Sequence, residues 1–451
     1  MFGRHHLAMA LAATALAVAP APVLAQRAPA ALAPASSPES VGFSSERLER
    51  LDAAMAKAVS DGRVAGVTTL LARHGKIVAF NTYGQASLAD GRPMEKDAIF
   101  RIYSMTKPIT GVAMMILFEE GRWRLDDPVS RYLPELKDLK VMTGVDANGA
   151  PVLAPAAREP TMRELMSHTA GFGYGLSDDH PVDRMFQQSR VLGSSSLQEM
   201  VEKNAAIPLK FQPGTDWSYS IAVDLQGRIV EKLSGQTLGQ FMSERIFTPL
   251  KMTDTGFQVP AATASRLAAV YVGDPKSGQL IEARELAGAP AQDFTKPPAI
   301  ESGGGGLVST ATDYARFAQM IANGGVLDGV RILAPATVEL MGTDMIPAQA
   351  LVSSNGSVGL RFNEAVGFGL DFMVIKDPRK AGGLEGEGTM SWGGAAGTWF
   401  WVDPTNDVIF IGMIQRFGGT GGPDLGTATR TLVYQAPVSY THLTLPTKRI
   451  V

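Results

Sequence analysis

The sequence predicts an α/β fold in which one β-sheet uses strands from both ends of the chain. Near the start, "VAGVTTLLARHGKIVAFNTYG" reads as two β-branched runs around a "HGK" turn, the pattern of a hairpin. Near the end, "FGLDFMVI", "GTMSWGGAAGTWFWVDP" and "DVIFIGMIQRF" alternate and carry aromatic and β-branched residues, which is typical of strands. Between them, helical patterns are separated by Gly- and Pro-rich loops. We therefore expect a sandwich closed by distant parts of the chain, with a mainly helical insert over about residues 108–300.

Residues 1–25 have the three parts of a secretory signal peptide. Arg4 supplies a positive charge, "LAMALAATALAVA" is apolar, and Val23 and Ala25 stand at the minus-three and minus-one positions of a cleavage site. A membrane anchor is the alternative, but the apolar run is shorter than the ~20 residues that a span needs. We expect a bacterial protein that is exported to the periplasm or secreted, with no stable membrane insertion after cleavage.

Two further terminal segments are expected to lie outside the folded body, which then covers residues 41–436. Residues 26–40, "QRAPAALAPASSPES", are rich in Ala, Pro and Ser without periodicity, which predicts a mobile linker. Residues 437–451, "PVSYTHLTLPTKRIV", resemble a translated sequencing adapter that follows a plausible terminus at "TLVYQA", which predicts a non-native tail. A genuine C-terminal strand is the alternative for this tail.

The folded body is predicted to begin with an amphipathic helix. In "SSERLERLDAAMAKAVSDG", a serine precedes the helical pattern as a candidate N-cap and Gly62 follows it as a stop signal. The apolar residues that share one face at helical spacing are Leu48, Leu51, Met55 and Val59.

Composition excludes several classes of function. Of the 451 residues, 45% are hydrophobic and 19% are charged, and the formal net charge of -3 comes without a basic stripe, so nucleic acid is not an expected partner. The absence of cysteine excludes disulfides, thiolate metal sites and cysteine nucleophiles. The histidines of the folded body, His74, His168 and His180, form no H-E-x-x-H pair, so we expect no metal and no other cofactor.

The stretch "FRIYSMTKPITGVAMMILFEEG" combines a serine, a lysine and an apolar helix. Ser104 and Lys107 are three residues apart and would share a helix face, and Pro108 is tolerated only in a first turn, which places the helix start near Ser104. A helix N-terminus favours developing negative charge. Burial against the helix disfavours the ammonium form of the lysine, so its amine can take the serine proton. Alone, the S-x-x-K pattern is weak, because a capping serine followed by a solvated lysine also explains it.

Two more segments support a site. In "FQPGTDWSYSIAVDLQGRIVEKLSG", Pro213 and Gly214 make a turn and Tyr219 stands just before a helix. Its phenol could shuttle a proton beside a lysine, although a packed turn tyrosine is the alternative. In "GTMSWGGAAGTWFWV", glycines stand inside a predicted strand, which indicates close approach of a ligand or another chain segment or a plain bulge.

In this order, "SMTK" from Ser104, "YSI" from Tyr219 and "WGG" from Trp392 resemble the active-site elements of the class C β-lactamase superfamily, and most of all those of the family VIII carboxylesterases. The resemblance spans about residues 41–436 and includes "TMRELMSHTAGF", "ESGGGGLVSTATDYARFAQMI" and "GVRILAPATVELM". It implies a β-lactamase-like sandwich with a central antiparallel sheet flanked by helices, plus the mainly helical insert.

The resemblance also implies roles for individual residues. Ser104 would be the acylated nucleophile, with Lys107 and Tyr219 as the general acid–base pair that shares protons with it. The backbone N–H groups of Ser104 and Ala395 would form the oxyanion hole, where losing one donor costs about 3 to 4 kcal/mol. In that family the "SHTAG" segment is structural, so His168 is not a catalytic candidate. The residues expected to contact the substrate are Trp392, Gly393 and Gly394.

Two departures from the β-lactamase pattern bear on the substrate. The matching segments of those enzymes follow the patterns Y-x-N and K-T-G. This chain has Ile221 in place of the asparagine and Trp392 in place of the lysine. An indole cannot replace the lysine ammonium that holds a β-lactam carboxylate, and Ile221 offers no amide. The more apolar pocket suits neutral esters with short acyl or alkyl groups. We therefore expect a serine carboxylesterase acting on a small-molecule ester, with slow β-lactam turnover as a side activity.

Two alternatives stay open at this stage. A β-lactamase or D-alanyl-D-alanine peptidase would use the same acylation groups. A catalytically silent sensor on the penicillin-binding fold would not need both Lys107 and Tyr219. The loops around residues 139–160 and 173–196 carry no motif that specifies a substrate, and no oligomeric state is predicted.

Overall fold

The computed structural model describes residues 32–274, 276–283, 285–286, 289–290, 292–350, 362–418 and 424–438. The signal peptide predicted over residues 1–25 lies outside them, as do residues 439–451 of the predicted tail. None of the helices within the described ranges has the length and apolar character that a bilayer crossing requires.

One large sheet with small hairpins around it forms the centre of the fold. The strands in chain order are β1 (Ala33–Pro34), β2 (Gly66–Arg73), β3 (Lys76–Ser87), β4 (Arg92–Pro93), β5 (Phe100–Arg101), β6 (Lys140–Val145), β7 (Pro151–Pro155), β8 (Tyr271–Gly273), β9 (Leu280–Glu282), β10 (Glu285–Leu286), β11 (Ala289–Pro290), β12 (Val308–Ser309), β13 (Val326–Leu327), β14 (Val330–Arg331), β15 (Val366–Phe368), β16 (Met373–Ile375), β17 (Met390–Gly393), β18 (Trp399–Asp403) and β19 (Val408–Met413). Among the described residues the large sheet has the order β1-β3-β2-β19-β18-β17-β16-β15, and β4 also pairs with β3. Only the β1–β3 pair is parallel in this sheet. The predicted α/β sandwich with a central antiparallel sheet is confirmed.

Helices cover both faces of this sheet. They are α1 (Ser45–Ser60), α2 (Thr106–Glu119), α3 (Met162–Met166), α4 (Pro181–Gln188), α5 (Leu197–Ala205), α6 (Ala222–Ser234), α7 (Leu238–Met242), α8 (Thr248–Leu250), α9 (Ala311–Ala322), α10 (Pro335–Met341), α11 (Pro378–Ala381) and α12 (Leu425–Tyr434). Leu71 and Phe410 pack in the cluster that α1 and α12 cover, whereas their strand neighbours Leu70 and Ile411 pack in the larger cluster with α2 and α9. This alternation follows from the two-residue period of a strand.

The first helix and hairpin agree with the sequence pattern. The Ser44 side chain caps α1 by accepting a hydrogen bond from the Arg47 N–H. Three of the four predicted apolar residues are buried, and Ala58 rather than Val59 is the fourth buried residue of that face. His74 and Gly75 join β2 to β3 with positive φ angles of 54° and 70°, as a tight hairpin turn requires.

The predicted linker is partly ordered. Within residues 26–40, Ala33 and Pro34 form β1 beside β3, and the Ala33 N–H donates to the Gly75 carbonyl over 3.1 Å. Ser37 caps a short 3-10 helix, Pro38–Val41. Two backbone hydrogen bonds and a cap order a segment whose Ala, Pro and Ser composition gives no periodic signal.

The other end of the predicted folded body also differs. The first two residues of the predicted tail pair with the body, because Pro437 bridges Phe43 and the Val438 N–H donates to the Gly42 carbonyl over 3.0 Å. The described chain therefore continues two residues past position 436.

The segment from residue 108 to 300 contains α2 to α8 but is not wholly helical. It also holds three two-stranded hairpins, β6–β7, β8–β9 and β10–β11, within the described residues. At its start, α2 is buried in the main core, and Pro108 lies in its first turn as predicted.

Two strands predicted near the C-terminus are hairpins instead. "FGLDFMVI" divides into β15 and β16, because the chain turns where the Gly369 N–H donates to the Phe372 carbonyl and Asp371 adopts a positive φ of 64°. "GTMSWGGAAGTWFWV" forms β17 and β18, joined by a turn in which Gly394 donates to Thr398 over 2.7 Å and Gly397 has a φ of 86°. Each turn depends on a left-handed residue that favours glycine or aspartate.

Candidate active site

Ser104 lies in a single 3-10 turn, Tyr103–Met105, that leads directly into α2. Its side chain is half-buried. The turn is held from both sides, since the Ile102 N–H donates to the Leu307 carbonyl over 3.1 Å and the Tyr314 hydroxyl donates to the Met105 carbonyl over 2.9 Å. The hydroxyl of Ser104 thus lies at the positive end of a buried helix, as the sequence predicts.

Lys107 is fully buried, with 0% of its surface exposed. Its Nζ donates to the Gly304 carbonyl over 2.6 Å and lies 3.3 Å from Ser104 Oγ. The same nitrogen lies over two aromatic rings, 4.5 Å from the centroid of Tyr219 and 5.2 Å from that of Tyr174, a geometry that attracts a cation. The amine is therefore held within hydrogen-bond reach of the serine hydroxyl, as a general base must be.

Tyr219 turns its ring face, not its hydroxyl, toward Lys107. The side chain is 7% exposed, and within the described part of the chain its buried hydroxyl has no hydrogen-bond partner. The predicted sharing of protons among three groups is thus present as a hydrogen bond only between Ser104 and Lys107. The attraction of the amine to the ring face accounts for this orientation.

The third active-site segment, the "WGG" motif from Trp392 (here called the third motif), approaches the turn that carries Ser104 through its backbone. A Cβ atom at Gly394 would lie 2.3 Å from the carbonyl oxygen of Ile102, so only glycine fits there. Ala395 is exposed in the turn that follows, and its N–H donates to no backbone carbonyl of the described residues. An N–H with this freedom is what an oxyanion hole requires.

Trp392 joins the third motif to the aromatic wall of the site. Its ring centroid is 5.6 Å from that of Tyr219 and 5.3 Å from that of Phe368. Among the described residues, β16 pairs with β17 only at Met390 and Ser391, so the β17 edge at Trp392 has no strand partner there on that side. An open strand edge beside an aromatic wall can accept an extended, uncharged substrate.

A cavity of about 560 Å³ borders the third motif on the side of α12. Gly393, Trp399 and Thr427 are among its lining residues, whereas Ser104, Lys107 and Tyr219 are not. This cavity is therefore not the space around the candidate nucleophile. Among the described residues, no group of three or more His, Asp and Glu side chains could hold a metal ion.

Two residues next to Lys107 were not singled out from the sequence, Gly304 and Asp224. Asp224, in the first turn of α6, is 1% exposed, and its Oδ1 accepts hydrogen bonds from the Ser302 hydroxyl and, over 3.1 Å, from the Gly304 N–H. The glycine run in "ESGGGGLVST" was the available signal, because consecutive glycines indicate close backbone approach.

Burial changes the acidity of several groups around Lys107. Burial raises the pKa of Asp224 above its usual range, although the charge of Lys107 and the bonds from Ser302 and Gly304 oppose this. Burial also raises the pKa of Asp371 well above its usual range. Two carboxyl groups of raised pKa thus interact with the charge of Lys107, a feature common at functional sites.

His168 has the surroundings of a structural residue. Its Nδ1 lies 2.9 Å from the Ser220 hydroxyl, and its ring packs against Trp217, Tyr219 and Phe368. Burial, together with the charge of Lys107, lowers the pKa of His168 well below its usual value. A neutral imidazole with these contacts supports the ring of Tyr219.

Comparisons with known proteins bear on the fold and the family. A model of the beta-lactamase family matches residues 51–434. Esterase EstB of Burkholderia gladioli is 33% identical over 404 residues, covering 85% of this chain and 94% of its own. Protein Rv1367c of Mycobacterium tuberculosis (strain ATCC 25618 / H37Rv) is 38% identical over 360 residues, covering 79% and 86%. The solved structure titled "EstCE1, a hydrolase with promiscuous acyltransferase activity" has 27% identity and a TM-score of 0.70 and covers 86% of this chain and 99% of its own.

Proposed function

Because this chain belongs to the beta-lactamase family, we propose that it is a serine hydrolase that cleaves carboxylic esters through an acyl-enzyme on Ser104. The observation that carries the proposal is the position of Lys107 Nζ, fully buried and 3.3 Å from Ser104 Oγ at the start of α2. A relative named as an esterase, alignable over 85% of the chain, supports this reading.

The geometry suggests one order of steps. Lys107 takes the hydroxyl proton of Ser104 as Oγ attacks the ester carbonyl carbon, and the N–H groups of Ser104 and Ala395 stabilise the oxyanion. The alcohol then leaves with a proton supplied from the Lys107 and Tyr219 pair. Water attacks the acyl-enzyme with the same groups acting in reverse, which releases the carboxylic acid and restores Ser104.

The wall of the site favours a neutral ester over a β-lactam. Trp392 stands where a β-lactamase of this superfamily would present a lysine, and its neighbours Tyr219 and Phe368 are aromatic. A surface of this kind buries apolar acyl or alkyl groups but offers no cation to a carboxylate.

The test compares two substrates on the purified protein. We expect kcat/KM for p-nitrophenyl butyrate to exceed that for a chromogenic cephalosporin by about 10- to 10²-fold, because the lost charged hydrogen bond is worth roughly 1.5 to 3 kcal/mol. A higher value for the cephalosporin would favour the β-lactamase alternative. No turnover of either compound would favour a silent sensor.

Tyr219→Phe is expected to lower kcat for p-nitrophenyl butyrate by about 10²-fold, the lower range for a positioned proton donor or acceptor. Its hydroxyl has no partner in the described residues, so its removal leaves no buried group unsatisfied. The melting temperature should therefore stay within about 2 °C of wild type, since no hydrogen bond is lost and the ring keeps its packing. Steady-state kinetics and thermal unfolding measure the two effects.

Tyr132→Phe is the matched control for this substitution. Tyr132 is also buried, and its hydroxyl donates to Asp127. This control should lose stability and keep its activity. If Tyr219→Phe kept full activity, the phenol would have no role in proton transfer.

We also propose that the protein is exported, on the grounds of residues 1–25 alone. Cell fractionation of a bacterial host should find the protein outside the cytoplasm, with a new N-terminus near residue 26. Deletion of residues 1–25 should retain it in the cytoplasm. Cytoplasmic retention of the full chain would contradict export.

A further inference from the structure

We propose that Asp224 is a positioning residue for Lys107 and acts through the glycine loop, residues 303–306. This inference rests on the proposed function, because it concerns the amine that would activate Ser104. Asp224 itself does not hydrogen-bond to Ser104 or Lys107.

A single residue, Gly304, connects the carboxylate to the amine. The N–H of Gly304 donates to Asp224 Oδ1 over 3.1 Å, and the carbonyl of the same residue accepts from Lys107 Nζ over 2.6 Å. The Ser302 hydroxyl donates to the same Oδ1. The carboxylate therefore holds Gly304 within the loop and Ser302 just before it, and the loop presents the Gly304 carbonyl oxygen to the lysine.

Steric contacts show how closely this loop lies against α6. A Cβ atom at Gly304 would be 2.4 Å from Asp224 Oδ2, and one at Gly303 would be 2.6 Å from the Val223 carbonyl. Because such contacts are shorter than any real Cβ contact, the loop can approach the first turn of α6 only as glycine.

The charge of Asp224 also acts on the site. Its Oδ2 has no hydrogen-bond partner within the described residues, and the charge of Lys107 favours the ionised carboxyl, against the effect of burial on its pKa. The titratable groups that interact with Asp224 are Lys107 on α2 and Tyr174 on the loop between α3 and α4. Asp371 lies on another side of α2, against Gly111, and bonds to a glutamine rather than to the loop. Asp224 is thus the buried carboxyl that reaches Lys107 through the loop.

The test uses Asp224→Asn and Asp224→Ala, with p-nitrophenyl butyrate as substrate. In Asp224→Asn the amide oxygen can keep both hydrogen bonds but the charge is lost, so we expect kcat to fall only about 10-fold. In Asp224→Ala the loop is released, so we expect kcat to fall about 10²-fold, within the range for general base catalysis. KM should change less than about threefold, since no substrate contact is lost. The acidic limb of the kcat/KM profile should move to lower pH in Asp224→Asn, because loss of a negative charge disfavours the protonated amine.

Asp403→Asn is the matched control. Asp403 is also 1% exposed and accepts backbone hydrogen bonds, from the Gly386 and Thr405 N–H groups among others. Its replacement should lower the melting temperature and leave kcat and the pH profile unchanged. A merely structural role for Asp224 would give the same pattern.

The outcomes separate this inference from the proposed function. If wild type hydrolyses the ester and a fluorophosphonate labels Ser104, but the Asp224 variants behave like Asp403→Asn, the positioning role is overturned. If wild type neither hydrolyses the ester nor reacts with the probe, the proposed function fails first. If Asp224→Ala does not fold, Asp224→Asn and Ser302→Ala decide, since the first removes the charge and the second removes one of the two hydrogen bonds, while both keep the glycines. If Asp224→Asn and Ser302→Ala both kept the wild-type kcat and the wild-type acidic limb of the kcat/KM profile, the positioning role of Asp224 would be overturned.

Discussion

Ser104→Ala is expected to reduce kcat for p-nitrophenyl butyrate by about 10⁵-fold or more, the scale seen when a serine hydrolase loses its nucleophile. Without Oγ no acyl-enzyme forms, and residual turnover comes only from binding and oxyanion stabilisation. Lys107 keeps its stronger hydrogen bond to Gly304, at 2.6 Å, so the fold should persist. Single-turnover and steady-state kinetics, together with circular dichroism, measure both effects.

Ser194→Ala is the control for this substitution. Ser194 is 2% exposed and donates to the Val191 carbonyl, so it is a buried serine outside the site. This control should keep wild-type kcat. Comparable turnover by Ser104→Ala and wild type would show that another residue performs the hydrolysis.

Lys107→Met is expected to lower kcat by about 10³- to 10⁴-fold, the upper range for loss of a positioned general base. Methionine fills a similar volume in the fully buried position but cannot take the proton of Ser104. The Gly304 carbonyl loses its donor, which costs roughly 1 to 3 kcal/mol, offset in part because no charge has to be buried. The rate and the melting temperature are both measured.

The pH dependence gives this prediction a second readout. With the amine removed, the residual rate should rise with hydroxide concentration, because the base that takes the Ser104 proton is gone. Lys376→Met serves as the control, since it removes a partly buried cation that pairs with Asp344, and it should keep the wild-type profile. A Lys107→Met enzyme with the wild-type rate and profile would remove the lysine from the mechanism.

Local patterns predicted the parts of the fold that local physics determines. The spacing of Leu48, Leu51 and Met55 defines one buried face of α1, and the "HGK" turn joins two antiparallel strands. In the same way, a three-residue separation and a first-turn proline were enough to bring Lys107 Nζ to Ser104 Oγ. These features depend on residues that are near one another in sequence.

Features set by long-range contact were not readable in the same way. The Gly304 carbonyl reaches Lys107 across 197 positions, and no spacing rule connects Asp224 to a glycine loop far downstream. The ring orientation of Tyr219 results from packing against Lys107, His168 and Trp392. Similarly, β1 forms from two backbone hydrogen bonds to the β2–β3 hairpin. Its alanine and proline residues give no sequence signal for a strand.

The most direct measurement is intact-protein and peptide mass spectrometry after reaction with a fluorophosphonate probe. The account predicts one adduct per chain, located on Ser104, with labelling abolished in Ser104→Ala and slowed at least about 10²-fold in Lys107→Met, as expected when a base activates the nucleophile. An adduct on any other residue, or no adduct on wild-type protein that hydrolyses esters, would contradict it.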